Sequence, residues 1–582
     1  MRRSIATVSL SGTLAEKLSA AAAAGFDGVE LFENDQIACP FGPKEIRRRA
    51  DDLGLTIDLY QPFRDAEALP AELYAKVLRR ADHVFEVMEQ LGAPTLLSCS
   101  NVSDQAVDDD ALAADQLRTL AERAAGHGLT IAYEALAWGR HVNDYAHSWR
   151  IVQAADHPAL GICLDSFHIL TRDTDPAGIR DIPGDKIFYL QLADAPGLRM
   201  DTLHFSRHYR CFPGQGVFDL TGFLEHVLAA GYQGPLSLEI FNDVFRRSDA
   251  ERTAVDAMRS LIVLGETLPG PSRPHGYAFT EITVDALSEQ TATDMLSRMG
   301  FTRTGAHHSK PVHLWEQGEA RILLNRTHPG TWQRAAAAVT VLGVDDPDPQ
   351  TSGARARALL APPAPRAIAP GEASLPAVIA PDETAVFFCR PGDWLADFTR
   401  IAADGALLTG IDHVSLSPRA DRLDETLLFF ETALGLRLSS DEEIADPYGL
   451  LRSKAVTHDD FRLVFNVPIG DQPDNENGQH IAFGCADIFA TAAAFADREV
   501  PTLAIPQNYY DHLAARTDLE PAAVRRLGEH GILYDRGADG EYFHFYVKAL
   551  SPGLFFEIVQ RTGGYDGFGA PNAPVRRAMQ AR

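Results

Sequence analysis

Four oxygen-bearing residues stand at the ends of strand-like runs in the first 270 residues of the chain. Glu134 ends TIAYE, Asp165 ends GICLD, Gln191 lies in IFYLQLAD and Glu239 lies in LSLEI. Carboxylate and amide oxygens are the ligands that hard divalent cations prefer. Because no sulfur ligand accompanies them, we expect these residues to bind Mg²⁺, Mn²⁺ or Co²⁺ rather than zinc.

A histidine follows the second of these residues closely. His168 comes three residues after Asp165 in LDSFHIL, where the strand passes into a helix. An imidazole that titrates near neutrality suits proton abstraction next to a carbonyl. A supporting or capping role is the alternative, and we predict that His168 is the catalytic base.

Two arginines are candidates for holding an acidic substrate. Arg64 lies in YQPFRDAE and Arg210 lies in SRHYRCFPGQG, after the third and seventh predicted strands. Arginine binds a carboxylate through two parallel hydrogen bonds, although each residue could also form an exposed loop salt bridge. We predict that Arg64 and Arg210 bind a substrate carboxylate and that His204 and Ser206, in the same loop as Arg210, contact the substrate.

The C-terminal half carries a second set of metal-binding residue types. His413 lies in GIDHVSLSP, His480 in GQHIAFGCADI and Glu557 in GLFFEIVQR, each within a strand-like run. Two histidines and one carboxylate form the facial triad of non-haem iron sites, which leaves positions open for other ligands. The sequence therefore predicts a second divalent metal here, Fe²⁺, Mg²⁺ or a similar ion.

Short β-branched runs alternate with amphipathic stretches over the first 265 residues or so. The predicted strands are 5–9, 28–32, 56–60, 95–99, 130–134, 161–165, 187–192 and 236–240. Eight such units are the size of one α/β barrel of the (β/α)₈ type, whose active sites lie at the carboxyl ends of the strands. An open doubly wound sheet is the alternative, but no glycine-rich phosphate motif follows the first strand.

The remainder of the chain has the character of antiparallel α+β structure. LPGPSRPHG, over 268–276, is typical of a linker because it is rich in proline and glycine. Two comparable halves follow, and each begins with a strand and a helix that ends at a glycine, in RMGF and ALGL. We predict a barrel over 1–268, a linker over 269–276, a first half over 277–405 and a metal-binding second half over 406–582.

Bulk properties narrow the function classes. The formal charge of −27 argues against nucleic acid or an anionic membrane as a partner, since both require basic surfaces. The six cysteines are scattered without a CxxC pair, which favours reduced thiols. Because Glu16 and Lys17 interrupt the apolar N-terminal run, that run does not fit a signal peptide, and we expect a cytoplasmic protein. We also expect an enzyme with a small-molecule substrate, and we expect it to form a homo-oligomer.

The barrel residues resemble the family that includes xylose isomerase and the ketose epimerases. The spacing from Asp165 to His168 and the pair Glu134 and Glu239 match that family's metal shell, while glutamine at 191 replaces its usual histidine. Glutamine within LQLAD is similar to the bacterial 3-dehydroshikimate dehydratases of quinate and shikimate catabolism. That resemblance implies a metal-dependent lyase that forms protocatechuate. A ketose isomerase or epimerase is the alternative.

The C-terminal half resembles 4-hydroxyphenylpyruvate dioxygenase and its relatives of the vicinal-oxygen-chelate fold. IDHV, GQHIAF, YYDHL, GILYD and LFFEIVQR occur in the family's order. His544 stands where those dioxygenases usually have a substrate-binding glutamine. The resemblance implies that His413, His480 and Glu557 bind metal, and the departure favours a small-molecule-binding or assembly module over an active dioxygenase.

Overall fold

The protein folds into two compact units, Met1–Thr267 and Leu268–Arg582. The computed structural model describes every residue except 266, 267, 269, 272, 327–336, 403–405, 447–448, 470–477, 552 and 581–582. Two positions of the predicted linker, 269 and 272, therefore lie outside the described residues. Within the described ranges, no helix is both long and apolar enough to cross a bilayer.

The first unit is a closed barrel of eight parallel strands. β1 pairs with β2 on one side and with β8 on the other, which closes the sheet and excludes the open alternative. The strands are β1 (Arg3–Ala6), β2 (Gly28–Phe32), β3 (Thr56–Phe63), β4 (Thr95–Cys99), β5 (Thr130–Glu134), β6 (Leu160–Asp165), β7 (Ile187–Leu192) and β8 (Leu236–Leu238). The predicted barrel is confirmed.

Helices surround this barrel and bury the outer faces of its strands. They are α1 (Leu14–Ala24), α2 (Glu33–Ala38), α3 (Pro43–Asp52), α4 (Ala71–Leu91), α5 (Asp110–Gly126), α6 (Tyr145–Ala155), α7 (Ser166–Leu170), α8 (Thr202–His208), α9 (Leu220–Ala229) and α10 (Ala250–Gly265). Every residue of β4 and β6 is buried, as expected for parallel strands that are covered on both faces.

Local sequence signals set the ends of several helices. Thr13 and Glu16 form a capping box at the start of α1. Asp109 and Asp144 accept backbone hydrogen bonds at the starts of α5 and α6. Gly25 follows α1 with φ 91°, in the left-handed region where a side chain would be strained. The N-caps mark where a strand-to-helix loop ends, and Gly25 marks where the chain leaves α1 toward β2.

The second unit contains two eight-stranded mixed sheets, one in each predicted half. The first comprises β9 (Gly276–Val284), β10 (Thr302–His307), β11 (Val312–Gln317), β12 (Ala320–Asn325), β13 (Ala337–Asp345), β14 (Ala377–Ile379), β15 (Ala385–Cys389) and β16 (Phe398–Arg400). Its helices are α11 (Ala286–Met299) and α12 (Pro349–Ala358). The strand order is β14-β15-β13-β9-β12-β11-β10-β16.

The second sheet has the order β18-β19-β20-β17-β21-β24-β23-β22. Its strands are β17 (Leu408–Leu416), β18 (Arg437–Asp446), β19 (Gly449–His458), β20 (Phe461–Ile469), β21 (Gln479–Cys485), β22 (Leu533–Arg536), β23 (Gly540–Ser551) and β24 (Leu554–Gly563). The helices are α13 (Leu423–Leu434), α14 (Ile488–Asp497), α15 (Gln507–Arg516), α16 (Pro521–His530) and α17 (Ala573–Gln580). Glycines in the left-handed region end α11 and α13, which confirms the duplicated strand–helix opening.

Candidate functional site

The four predicted barrel ligands lie side by side at the carboxyl ends of successive strands. Glu134 and Asp165 are the last residues of β5 and β6, Gln191 lies one residue from the end of β7, and Glu239 directly follows β8. Asp165 is in register with Gln191. None of the four is more than 5% exposed. The barrel therefore gathers three carboxylates and one amide in a dry interior.

Glu134, Asp165 and His168 form a close group at these strand ends. Each offers one ligand atom, and these atoms all lie within 4.8 Å of one another. His168 Nε2 lies 3.5 Å from Glu134 Oε1 and 3.6 Å from Asp165 Oδ2. Oε1 of Glu134 is buried and has no hydrogen-bond partner among the described residues. Because an unpaired buried carboxylate oxygen is costly, this atom marks a place where a cation would be stabilised.

The electrostatics of the cluster favour a bound cation for the same reason. Burial raises the pKa of Glu134 well above its ordinary value, and the charges of Asp165 and Glu239 raise it further. Burial also raises the pKa of Glu239. A divalent ion would offset this repulsion, and the oxygen-rich donor set of Glu134, Asp165, Gln191 and Glu239 fits Mg²⁺, Mn²⁺ or Co²⁺.

Arg210 lies across two of the carboxylates. Its guanidinium is 1% exposed and donates to Asp165 Oδ2 at 2.7 Å and to Glu239 Oε2 at 3.0 Å. Although burial opposes the charge, these carboxylates raise the pKa of Arg210. Arg210 also donates to Ser206 Oγ at 2.9 Å. In this structure the arginine neutralises part of the cluster's charge.

The imidazole of His168 lies between two N–H groups. The amide of Ala137 donates to Nδ1 at 3.1 Å, and a guanidinium nitrogen of Arg210 lies 3.2 Å from Nε2. Burial, together with the charges of Arg210 and Arg207, lowers the pKa of His168 to about 3. The ring is therefore neutral at physiological pH. Its Nε2 faces the carboxylate cluster.

The two remaining predicted contacts of the α8 loop differ in environment. Ser206 is 1% exposed and accepts hydrogen bonds from Arg210. His204 is exposed, and its ring lies 4.5 Å from that of His208. Residues two apart on a helix point in roughly opposite directions, so α8 cannot direct both side chains inward. The structure brings Ser206 to the cluster and leaves His204 outside it.

A second arginine that the sequence reasoning missed, Arg207, lies close enough to Arg64 for their charges to interact. Arg64 directly follows β3 and is partly exposed. The pKa of Arg207 is lowered by the burial of Arg207 itself and by the charge of Arg64. Neither arginine has a hydrogen bond or ion pair among the described residues, and Arg207 lies over the rings of Trp138 and Phe241 at 6.0 and 5.3 Å. Arg207 belongs to SRHYR, the segment that supplied Arg210, so the spacing of arginines there was the available signal.

In the C-terminal unit, His413, His480 and Glu557 come together from the adjacent strands β17, β21 and β24. His480 Nε2 lies 3.1 Å from both His413 Nε2 and Glu557 Oε2. All three side chains are buried. Burial lowers the pKa of His480 to about 4, which keeps that imidazole neutral and able to bind metal. Two imidazole nitrogens and one carboxylate oxygen at these distances form a compact set of atoms that could hold a metal ion.

Asp412 and Arg561 orient His413. His413 Nδ1 donates to Asp412 Oδ1 at 2.8 Å, so in the neutral ring Nε2 holds the lone pair. Although burial opposes the charge, hydrogen bonds to Asp412 and Glu557 raise the pKa of His413. Arg561 donates to both oxygens of Asp412 at 2.8 Å. A carboxylate behind a ligating histidine is a common feature of metal sites. A register shift between Ile411 and His413 accompanies this arrangement, and it explains why sequence alternation alone did not identify Asp412.

Glu557 is oriented in a comparable way. Its Oε1 accepts from His544 Nδ1 at 2.6 Å and from the Tyr542 hydroxyl at 3.2 Å. Asn572 Nδ2 lies 2.9 Å from His544 Nε2, which fixes the His544 proton on Nδ1. Oε2 of Glu557 is left for the histidine pair. His544 thus orients the carboxylate of Glu557.

Family models match three parts of the chain. Residues 18–262 match the xylose isomerase-like TIM barrel. Residues 270–380 match the N-terminal part of hydroxyphenylpyruvate dioxygenase, and residues 410–521 match the glyoxalase/bleomycin resistance protein/dioxygenase superfamily. The matched ranges follow the barrel and the two sheets of the second unit.

Known proteins match the whole chain as well as its second half. The chain is 43% identical to 3-dehydroshikimate dehydratase of Pseudomonas putida over 100% of its own length and 98% of that protein. It matches a solved structure, a xylose isomerase-like TIM barrel/4-hydroxyphenylpyruvate dioxygenase fusion protein, at 42% identity and a TM-score of 0.92, with both chains fully covered. It is also 26% identical to 4-hydroxyphenylpyruvate dioxygenase of Pseudomonas aeruginosa over 52% of this chain and 92% of that one.

Proposed function

The chain belongs to the family of 3-dehydroshikimate dehydratases, and we propose that it converts 3-dehydroshikimate into protocatechuate and water. The observation that carries the proposal is full-length similarity to such enzymes together with a buried carboxylate cluster at the barrel's strand ends. Loss of water from a hydroxylated cyclic ketone makes the enzyme a carbon–oxygen lyase. The C-terminal ends of the barrel strands are where this fold carries its chemistry.

Glu134, Asp165, Gln191 and Glu239 would hold the divalent metal of this reaction. Support comes from their shared position at the strand ends, their burial and the unpaired Oε1 of Glu134. When bound, Mg²⁺, Mn²⁺ or Co²⁺ supplies Lewis-acid stabilisation to the ketone oxygen as negative charge develops there.

His168 would transfer the protons. The dehydration removes the proton on the carbon between the ketone and the departing hydroxyl, and the hydroxyl takes a proton and leaves as water. A further carbon-bound proton then moves to oxygen as the ring becomes aromatic, so the atoms balance as substrate to product plus water. To accept the first proton at Nε2, which faces the carboxylate cluster, the neutral ring would carry its own proton on Nδ1, and the Ala137 amide would release its hydrogen bond to Nδ1. Acid–base catalysis of this kind contributes roughly 10²–10⁴-fold.

Arg64 and Arg207 would bind the carboxylate of the substrate. The charge of Arg64 lowers the pKa of Arg207, and an anion bound between the two guanidinium groups would offset that repulsion. Arg210 would act differently from Arg64, because it already neutralises Asp165 and Glu239. Ser206 would hold the guanidinium of Arg210 in place.

A ketose isomerase or epimerase is the alternative use of the same barrel. In that reading Glu134 and Glu239 would move the protons. The comparisons favour the dehydratase, because the full-length relatives at 43% identity are dehydratases while the isomerase matches are 24% identical over 31% of the chain.

The C-terminal unit would bind a second metal without acting as a dioxygenase. His413, His480 and Glu557 would be its ligands, with Fe²⁺ or Mg²⁺ as the ion. His544 occupies the place of a substrate-binding glutamine and is committed to Glu557 and Asn572. We assign this half, over 277–582, to small-molecule binding or assembly in a homo-oligomer, and the barrel over 1–268 to catalysis.

The test is a substrate comparison with the full-length protein. Protein supplied with Mg²⁺, Mn²⁺ or Co²⁺ is incubated with 3-dehydroshikimate or with a panel of ketoses. We expect ultraviolet-absorbing protocatechuate from the first and no epimerised sugar from the second. Ketose conversion without protocatechuate would replace the dehydratase by the isomerase.

A further inference from the structure

A buried carboxylate beneath the barrel cluster has no part in the mechanism above. Glu30 lies in the middle of β2 and is 0% exposed. It accepts hydrogen bonds from Gln191 Nε2 at 2.6 Å, from Gln61 Nε2 at 2.8 Å and from the hydroxyl of Ser237. Three donors therefore converge on Glu30 from three other strands or their ends.

The hydrogen bond from Gln191 to Glu30 determines where the amide nitrogen and the amide oxygen of Gln191 point. The two ends of a glutamine amide have nearly the same shape, so packing alone distinguishes them poorly. With Nε2 directed at Glu30, Oε1 must point to the opposite side. There it lies 3.4 Å from the thiol of Cys163, which is two residues before Asp165 on β6. A carbonyl oxygen has two lone pairs, so Oε1 can accept this weak bond and still bind a cation.

Glu30 is itself one layer away from the cluster. Its Oε2 is occupied by Gln61 and Gln191, and its Oε1 by Ser237. In the barrel, the group of ligand atoms that lie within 4.8 Å of one another comes from Glu134, Asp165 and His168, and it does not include Glu30. A role through Gln191 follows from these contacts better than direct ligation.

We propose that Glu30 is a positioning residue that holds Gln191 with its amide oxygen, and never its nitrogen, toward the barrel metal. This inference rests on the metal site of the proposed function. An amide turned by 180° would present N–H donors to the cation, which cannot act as ligands. Partners of this kind behind a metal ligand typically contribute 10–100-fold to metal affinity.

The test is Mn²⁺ binding to the full-length protein. Calorimetry measures the affinity, and electron paramagnetic resonance monitors the bound ion. Glu30→Gln replaces the carboxyl group that accepts from Gln191 by an amide, which lets Gln191 turn, so we expect affinity at the barrel site to fall roughly 10–100-fold. The double variant Glu30→Gln/Gln191→Glu exchanges the two groups. The amide introduced at position 30 then donates to the carboxylate introduced at position 191, and the other oxygen of that carboxylate faces the metal. Gln61 turns its own amide so that it accepts from the new amide. We therefore expect Mn²⁺ affinity to recover.

The matched control is Glu67→Gln, which makes the same change at another buried carboxylate of the barrel. Glu67 accepts from the Asn101 amide and the Tyr133 hydroxyl and does not contact Gln191. We expect its Mn²⁺ affinity to equal that of the wild type. Unchanged affinity in Glu30→Gln would overturn the proposal. A folded Glu30→Gln/Gln191→Glu double variant that binds Mn²⁺ no better than Glu30→Gln would also overturn it. If Glu30→Gln fails to fold, a folded double variant without Mn²⁺ affinity at the barrel site would overturn it too.

Metal affinity and turnover separate this inference from the dehydratase assignment. If Glu30→Gln loses Mn²⁺ affinity but the wild type forms no protocatechuate, the positioning role is supported and the proposed substrate is rejected. If the wild type forms protocatechuate and Glu30→Gln keeps the wild-type Mn²⁺ affinity, the dehydratase assignment stands and the role of Glu30 is rejected.

Discussion

Nε2 of His168 lies 3.5 Å from Oε1 of Glu134, the carboxylate oxygen that has no hydrogen-bond partner among the described residues. The pair brings a neutral imidazole to the edge of the candidate metal site. Two roles are compatible with that distance, ligand and proton-transfer group. The proposed mechanism assigns the first role to Glu134 and the second to His168.

Replacing His168 separates these roles. In His168→Ala we expect kcat to fall roughly 10²–10⁴-fold, because the proton-transfer group is lost. Mn²⁺ affinity should stay within a few-fold of the wild type, since the oxygen ligands remain. Steady-state kinetics and calorimetry measure the two quantities. Loss of Mn²⁺ binding in this variant would instead make His168 a ligand.

Arg64 and Arg207 should both govern substrate affinity. In Arg64→Leu and Arg207→Leu we expect kcat/KM to fall at least roughly tenfold, mainly through KM, because each removes charge-assisted hydrogen bonds to the carboxylate. The matched control is Arg246→Leu. Arg246 lies over the same Phe241 ring at 5.2 Å but is exposed. A wild-type KM in Arg207→Leu would remove Arg207 from the site.

Glu67 should make stability depend on pH. Burial raises its pKa from 4.5 to about 7, so between these values the folded protein holds a proton that the unfolded chain has released. Stability contributed by this group is therefore full below pH 4.5 and is lost as pH rises through 7, by on the order of 3 kcal/mol. Glu67→Gln removes this dependence.

Urea unfolding midpoints at pH 5 and pH 8 measure the effect. We expect the midpoint of Glu67→Gln to gain on that of the wild type as pH rises. Glu122→Gln, on the exposed face of α5, is the control and should run parallel to the wild type. Parallel curves for Glu67→Gln as well would show that Glu67 is ionised in the folded protein throughout.

The C-terminal triad should account for one metal ion. In His413→Ala we expect one metal equivalent per chain to be lost, as measured by elemental analysis of the purified protein, because the nitrogen ligand that Asp412 orients is gone. His512→Ala is a matched control, since His512 is exposed in the same unit. Equal metal content in His413→Ala and wild type would reject this site.

The sequence predicted the barrel and the strand-end positions well because both depend on local patterns. Alternation of short apolar runs with helices located the ends of β5, β6 and β7 at the predicted residues, so Glu134 and Asp165 could be placed on them. The predictions for two other strands were wrong by three residues, because β1 ends at Ala6 and not at 9, and β3 ends at Phe63 and not at 60. The last strand was predicted over 236–240 but ends at Leu238, which puts Glu239 just beyond it.

Contacts between distant residues could not be predicted in the same way. Arg210 bonds Asp165 across 45 positions of sequence, so its role in neutralising the cluster needs the tertiary fold. Glu30 and Gln191 are 161 positions apart. His204 was grouped with Ser206 because the two are near in sequence, but a helix separates their directions.

The most direct measurement is the appearance of protocatechuate from 3-dehydroshikimate in wild type and in Glu134→Ala. Both proteins are freed of metal and then supplied with Mg²⁺, Mn²⁺ or Co²⁺. We expect product from the wild type only after metal is added, and none from Glu134→Ala under any condition. Equal product from Glu134→Ala, or from wild type in the presence of a chelator, would contradict a metal-dependent dehydration in the barrel.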